Sequence, residues 1–96
     1  MLHIIAQSPI DSAIFQCIGA GDDVLFLDKA LLNLLQKGRL SKILTSLLAE
    51  HQLYALADDL EVRGISSAEM LEGITVIAYS DFVNLTVKNS LIQIWS

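Results

Sequence analysis

One cysteine and one proline stand among the 96 residues, and each scarcity excludes something. A lone cysteine forbids an internal disulfide, and His3, Cys17 and His51 lack the close spacing of zinc ligands, so no metal site is expected. No apolar run approaches the roughly 18 residues that a membrane span needs. The opening "MLHIIAQSP" has neither a basic stretch nor a cleavage pattern, and a cytoplasmic chain is expected. Basic residues are few: 6 against 11 acids, for a formal net charge of −5. They are scattered except for Lys37, Arg39 and Lys42 in one loop. Direct binding to nucleic acid is not expected, because neutralising several phosphates takes a basic surface. Internal repeats, low-complexity tracts and flexible linkers are also missing, so residues 1–96 read as a single domain.

What is abundant is apolar surface. The apolar share is 53% with glycine left out, above the roughly 45–50% with glycine that is usual for soluble domains. A chain this short hides only about 60–65% of the surface its unfolded form exposes. The core is therefore small, and the surplus points to an interface.

Short apolar runs alternate with segments of helical period, the pattern of an α/β domain with a mostly parallel sheet. Five strands are predicted: "LHIIA" (2–6), "DVLFL" (23–27), "QLYAL" (52–56), "ITVIAY" (74–79) and "LIQIWS" (91–96). Runs apolar on both faces, such as "VLFL", are expected where helices flank both faces of the sheet. The first helix is predicted from "SPIDSAIFQCIGAG", with Ser8 as cap, Pro9 in its first position, Asp11 completing a capping box, and Gly19 or Gly21 as the stop. "KALLNLLQKG" (29–38) and "SKILTSLLAE" (41–50) read as two short helices in one crossover, and "SDFVNLTVKN" (80–89) as the last helix, capped by Ser80 or Asp81. The terminal Trp95 is expected to anchor either the core or a subunit contact.

"YALADDLEVRG" (54–64) poses the sharpest question, since two adjacent carboxylates beside an arginine suit metal binding or acid–base work. A local account suffices. Asp58 is placed to cap a short helix, Asp59 and Glu61 fall in its first turn where the dipole favours anions, and Arg63 lies four residues from Asp59. Gly64 would end the helix, with Ile65 packing back on Leu60. A catalytic pair is not needed to explain these acids.

Other candidates weaken in the same way. "GAGDD" (19–23) holds a G-x-G, but a strand follows it and carboxylates occupy the place of phosphates, so it reads as a helix stop and turn. Asp22 and Asp23 invite comparison with the acid pair of receiver domains, yet that pair belongs after the first strand. Cys17 is the one candidate nucleophile. Its helical spacing from Ile14 and Ile18 favours a small buried hydrophobe, and the end of a helix disfavours the thiolate. His3 is expected to be packed or at an edge, and His51 to be solvated. In open α/β sheets ligands gather beyond the carboxyl ends of the strands. The residues there are Gln7, Ser8, Asp28, Lys29, Ala57 to Asp59, Ser80 and Asp81, which include no cysteine, histidine or phosphate loop.

"YALADDLEVRGI" followed by "VIAYSDFVNLTVKNSLIQIW" resembles the TusB/DsrH family, and the likeness extends back through "GDDVLFLDKALL" to "MLHIIAQSP". The matches of greatest weight are Tyr54, Ala55 and Leu56; Asp59, Leu60, Arg63, Gly64 and Ile65; Tyr79, Asp81, Phe82, Val83, Leu85, Thr86 and Lys88; and Trp95. The segment between Pro9 and Gly21 is a few residues shorter than is usual, and "DKALLNLL" lacks an acid-glycine pair often found there. The resemblance implies a DsrE-like subunit of a sulfur-relay complex, assembled with two related DsrE-like subunits into a heterohexamer, a dimer of heterotrimers. It implies a part in passing persulfide sulfur toward 2-thiolation of the tRNA wobble uridine, with no cofactor and no catalytic activity of its own. In the related sulfur-carrying subunit the acceptor cysteine lies just after the third strand, near the positions of Leu56 and Ala57 here. The DsrH branch, from sulfur oxidisers, carries a cysteine in its first helix, which keeps a thiol carrier using Cys17 as the rival. A lone flavodoxin-like ligand module is the third reading.

Overall fold

The computed structural model describes residues 1–36 and 38–96; of the three bases expected in one loop, Lys37 lies outside the described residues and Lys42 belongs to a helix, Ser41–Leu48, instead of the loop. Five strands form one sheet: β1 (Leu2–Ile5), β2 (Asp23–Phe26), β3 (Gln52–Leu56), β4 (Thr75–Ile77) and β5 (Ile92–Trp95). Their spatial order is β4-β3-β2-β1-β5 and every pairing is parallel. The expected α/β class and five strands are present. Parallel neighbours need crossovers, and these are supplied by α1 (Ser41–Leu48), α2 (Ala57–Val62), α3 (Tyr79–Lys88) and three 3-10 segments, Ser12–Cys17, Asp28–Leu34 and Ser67–Glu69.

The pleat divides the strand residues between two faces. His3, Ile5, Val24, Phe26, Leu53 and Ala55 share one face by register. With Ile14 and Phe15 from the first 3-10 segment, Leu31 and Leu34 from the second, Leu44 of α1 and Leu60 of α2, this face makes the main core. Leu2, Ile4, Leu25 and Ile77 belong to the other face, where Leu85 and Phe82 of α3 pack on them. Helices thus lie on both faces, with very unequal cover.

Several boundaries depart from expectation. Ser8 does not cap a helix: Ser8 and Pro9 are joined by a cis bond, and the helical segment begins at Ser12. Asp11 is the cap instead, because its extended backbone lets Oδ1 accept from the Ala13 N–H at 2.9 Å, while Gln7 Oε1 accepts from Asp11 N–H at 2.9 Å. The segment is 3-10 and stops at Cys17, short of either glycine. The apolar period in 29–36 likewise produces a 3-10 segment over Asp28–Leu34, whereas α1 forms as expected. β4 ends at Ile77 because Tyr79 is already the first residue of α3. Ala78 takes the cap position there, and Asp81 serves as its third helical residue, Oδ2 accepting from Ala78 N–H at 3.3 Å.

Candidate functional site

At the carboxyl edge, β3 runs without a break into α2, so Leu56 is the residue before the helix and Asp58 is an exposed member of its first turn rather than its cap. The helix ends as the sequence suggests. Gly64 has φ +68°, its N–H reaches Glu61 C=O at 3.1 Å, and Ile65 N–H reaches Leu60 C=O at 3.0 Å. These two bonds are the paired stop that a left-handed glycine permits. Asp59 and Arg63 do not pair with one another. Both turn to Asp28, where the chain leaves β2: Asp59 Oδ2 accepts the Asp28 N–H at 2.7 Å, and Arg63 Nη2 bonds the Asp28 carboxylate. Asp28 has φ +53°, a left-handed conformation that aspartate adopts more readily than most residues.

Of the acids of "YALADDLEVRG", Asp59 therefore closes the sheet edge with Arg63 and Asp28, while Asp58 and Glu61 are exposed. Ser8 Oγ accepts from Asn33 Nδ2 at 3.2 Å and Gln7 is tied to Asp11, so these candidate groups are also engaged within the chain. Asp81 is held at its helix start, while Ser80 and Lys29 are exposed. Leu56 is buried and Ala57 half-buried where the resemblance would place a sulfur acceptor. No cysteine lies at this edge.

Cys17 is not the buried hydrophobe expected from its spacing; it is exposed. A 3-10 segment does not realise the 3.6-residue period on which that expectation rested, and Ile14 and Phe15 take the core positions. Sγ lies 3.7 Å from the Ala13 carbonyl oxygen. Cys17 stands two residues before Gly19, whose N–H donates to Asp22 at 2.8 Å next to the start of β2. It therefore belongs to the amino end of the sheet, away from the carboxyl edge.

At that amino end the polar groups form a connected network. His3 is 1% exposed, so its packing agrees with expectation. Its Nε2 lies 2.9 Å from Asp22 Oδ2, and its Nδ1 accepts from Trp95 Nε1 at 3.3 Å. Asp22 also receives the N-terminal ammonium of Met1 at 3.1 Å. Burial tends to raise the Asp22 carboxyl; hydrogen bonds from His3 and Gly19 and the adjacent ammonium outweigh it and lower it from 3.8 to about 2. Next to it, buried Asp23 accepts from Lys88 Nζ and Asn89 Nδ2, each at 3.2 Å. His51 is half-buried rather than solvated, and its Nδ1 is enclosed without a hydrogen-bond partner among the described residues. No sequence reading linked His3 to Asp22 and Trp95, because the contacts span 19 and 92 residues.

An open cavity of about 330 Å³ lies between α3 and the sheet, lined by Tyr54, Ile77, Asp81, Asn84, Leu85 and Lys88. It is on a sheet face, not at the carboxyl edge where a flavodoxin-like module would hold its ligand. Among the described residues no group of three histidine, cysteine or acidic side chains is placed to hold a metal ion. Among the described residues no helix is long and apolar enough to cross a membrane.

The exposed apolar side chains concentrate elsewhere. Ile92 and Ile94 of β5 pair with Leu2 and Ile4 and so share their face. They are 43% and 61% exposed, beside Leu91 at 61%. On α3, Tyr79, Val83 and Val87 recur every fourth residue and are exposed as well.

Comparison with known proteins agrees with this architecture. A protein called TusB from Erwinia tasmaniensis is 39% identical over 99% of this chain and 100% of its own length. The TusB protein of Photorhabdus laumondii is 36% identical over 93% of this chain and 94% of its own. Among solved structures, MTH1491 from Methanobacterium thermoautotrophicum, a protein of unknown function, superposes with a TM-score of 0.75 at 13% identity, covering 97% of this chain and 95% of that one. Tm0979 from Thermotoga maritima gives 0.62 at 17%, covering 93% and 94%. These two share the fold. Residues 7–91 match the family described as DsrH like protein, and the chain belongs to that family.

Proposed function

We propose that this chain is a non-catalytic structural subunit of a sulfur-relay complex that passes persulfide sulfur toward 2-thiolation of the tRNA wobble uridine. One observation carries the reading: the place after β3 that corresponds to the carrier cysteine of the related subunit is filled by Leu56 and Ala57 and closed by Asp28, Asp59 and Arg63. The relatives called TusB favour the tRNA branch. Two related DsrE-like subunits are the proposed partners, and the exposed apolar residues of α3 and β5 suit contact with them, since an exposed apolar patch beyond the ordinary marks an interaction surface. The assembly is proposed to be a heterohexamer in the cytoplasm.

The exposure of Cys17 favours a second reading, a thiol carrier in sulfur oxidation. Accessibility is one requirement for sulfur transfer. A partner that stabilises the thiolate is another, and among the described residues the hydrogen-bond contact of the Cys17 thiol is the Ala13 carbonyl, an acceptor that does not favour the thiolate. Mass spectrometry of nucleosides from digested tRNA separates the two. Deleting the gene should abolish wobble-uridine 2-thiolation, whereas Cys17→Ser should leave it near normal. Loss of thiolation in the serine variant, with the complex assembled and persulfide trapped on wild-type Cys17, would overturn the structural role.

A further inference from the structure

We propose that His3, Asp22 and Trp95 form a proton-sensitive latch that ties the terminal strand β5 to the sheet and loosens it when His3 takes up a proton. The argument begins with β5 itself. It is an edge strand of four residues, paired to β1 alone, with backbone bonds from Leu2 N–H to Leu91 C=O and from Ala6 N–H to Trp95 C=O, each 2.9 Å. Its side chains on the α3 face, Ile92 and Ile94, are largely solvent-exposed. Trp95 is the residue of β5 that packs against the main core. A short terminal strand stays ordered only where something holds it, and here the holding group is Trp95.

The polar anchor of Trp95 is a histidine in a defined tautomer. An indole N–H only donates, so His3 Nδ1 must carry a lone pair to receive Trp95 Nε1 at 3.3 Å. The ring planes lie within 17° of one another, which allows the N–H to approach near the imidazole plane. The proton of neutral His3 therefore resides on Nε2 and is donated to Asp22 Oδ2 at 2.9 Å. Asp22 remains ionised because Gly19 N–H and the Met1 ammonium also bind it.

Uptake of a proton occurs at the one free position, Nδ1. The lone pair that received the indole becomes an N–H, and two donors then face each other at the distance of the former bond. The Asp22 contact survives as an ion pair. Protonation is thus asymmetric: it keeps the histidine on the β1–β2 side and frees the tryptophan on the β5 side. Among the described residues the charged group in contact with His3 is Asp22, which itself holds the Met1 ammonium; its register neighbours Val24 and Gln93 carry no charge. Since β5 also bears part of the proposed docking face, the consequence for assembly rests on that reading; the latch itself does not.

The test is hydrogen–deuterium exchange of the full chain at about pH 7.5 and about pH 5.5, on either side of the ordinary titration range of histidine, with rates corrected for intrinsic exchange. Protection of the 90–96 segment should fall about 5-fold at the lower pH, the size expected of one lost hydrogen bond, while β2 and β3 keep theirs. In His3→Gln, which does not titrate there, and in Trp95→Phe, which lacks the donor, the pH dependence should vanish. Equal protection of wild-type β5 at both pH values, or the same pH dependence in a folded variant of either kind, would overturn the latch. Should His3→Gln fail to fold, Trp95→Phe decides alone. No partner takes part in the measurement, so its failure would not bear on the assembly reading.

Discussion

The two faces of the sheet are covered very differently. One face is buried under α1, α2 and two 3-10 segments, with Val24, Phe26, Leu53 and Ala55 fully enclosed. The opposite face has α3 alone, and there Ile92 and Ile94 lie in solvent although Leu2 and Ile4, their register partners, are buried. Both faces are built from the same kind of residue. Composition cannot distinguish a core face from a docking face; only the placement of the crossovers does. A parallel sheet is ordinarily apolar on both faces because helices cover both, and here the second face is left uncovered at β5.

The largest expected effect lies on the well-covered face. Phe26→Ala should cost about 3–5 kcal/mol, the range for emptying an aromatic site in a core, while Leu85→Ala on the thin face should cost about 2 kcal/mol. Urea unfolding measures both. If Leu85→Ala were the more costly, the inequality between faces would be wrong.

Trp95→Ala is expected to fall between these two, at about 2–3 kcal/mol, because the side chain is half-buried yet carries both packing and the bond to His3. Unchanged thermal stability together with unchanged complex recovery would make the terminal strand dispensable.

Asp22 sharpens the comparison from the amino end. Its carboxyl is depressed in the folded chain to about 2, so its contribution to stability is complete above the ordinary value near 3.8 and is lost as pH falls through about 2. The wild-type melting temperature should drop over that window more steeply than that of Asp22→Asn. Parallel acid profiles would remove the carboxylate from the account.

The smallest effect on the chain alone is predicted for the exposed residues. Val87→Lys and Ile94→Lys should each change stability by no more than about 0.5 kcal/mol, as substitutions at exposed sites usually do. A larger loss would mean that these side chains belong to the core.

Much of this was legible in the sequence. The five strands follow from runs such as "DVLFL" and "QLYAL", and the end of α2 follows from Gly64 with Ile65. "SSAE" (66–69) also carried a readable signal: Ser66 N–H donates to Glu69 Oε1 at 3.3 Å, a capping pattern that no predicted element used. Caps were less legible where several polar residues compete. Asp11 replaces Ser8, Ala78 replaces Ser80, and Asp58 yields to Leu56, since the backbone path decides which residue is extended at a helix start. Asp28 was beyond reach. Its bonds to Asp59 and Arg63 join positions 31 and 35 residues away, and no local rule brings them together.

The central claim is that the thin face carries the partners, and co-purification tests it most directly. The chain expressed with the two related subunits proposed as its partners is predicted to be recovered as a soluble complex, and expressed alone to self-associate through its apolar residues. The double variant Val87→Lys, Ile94→Lys should keep the melting temperature of the wild type and lose the complex. Full recovery of the complex by that folded variant would contradict the assignment of this face to assembly.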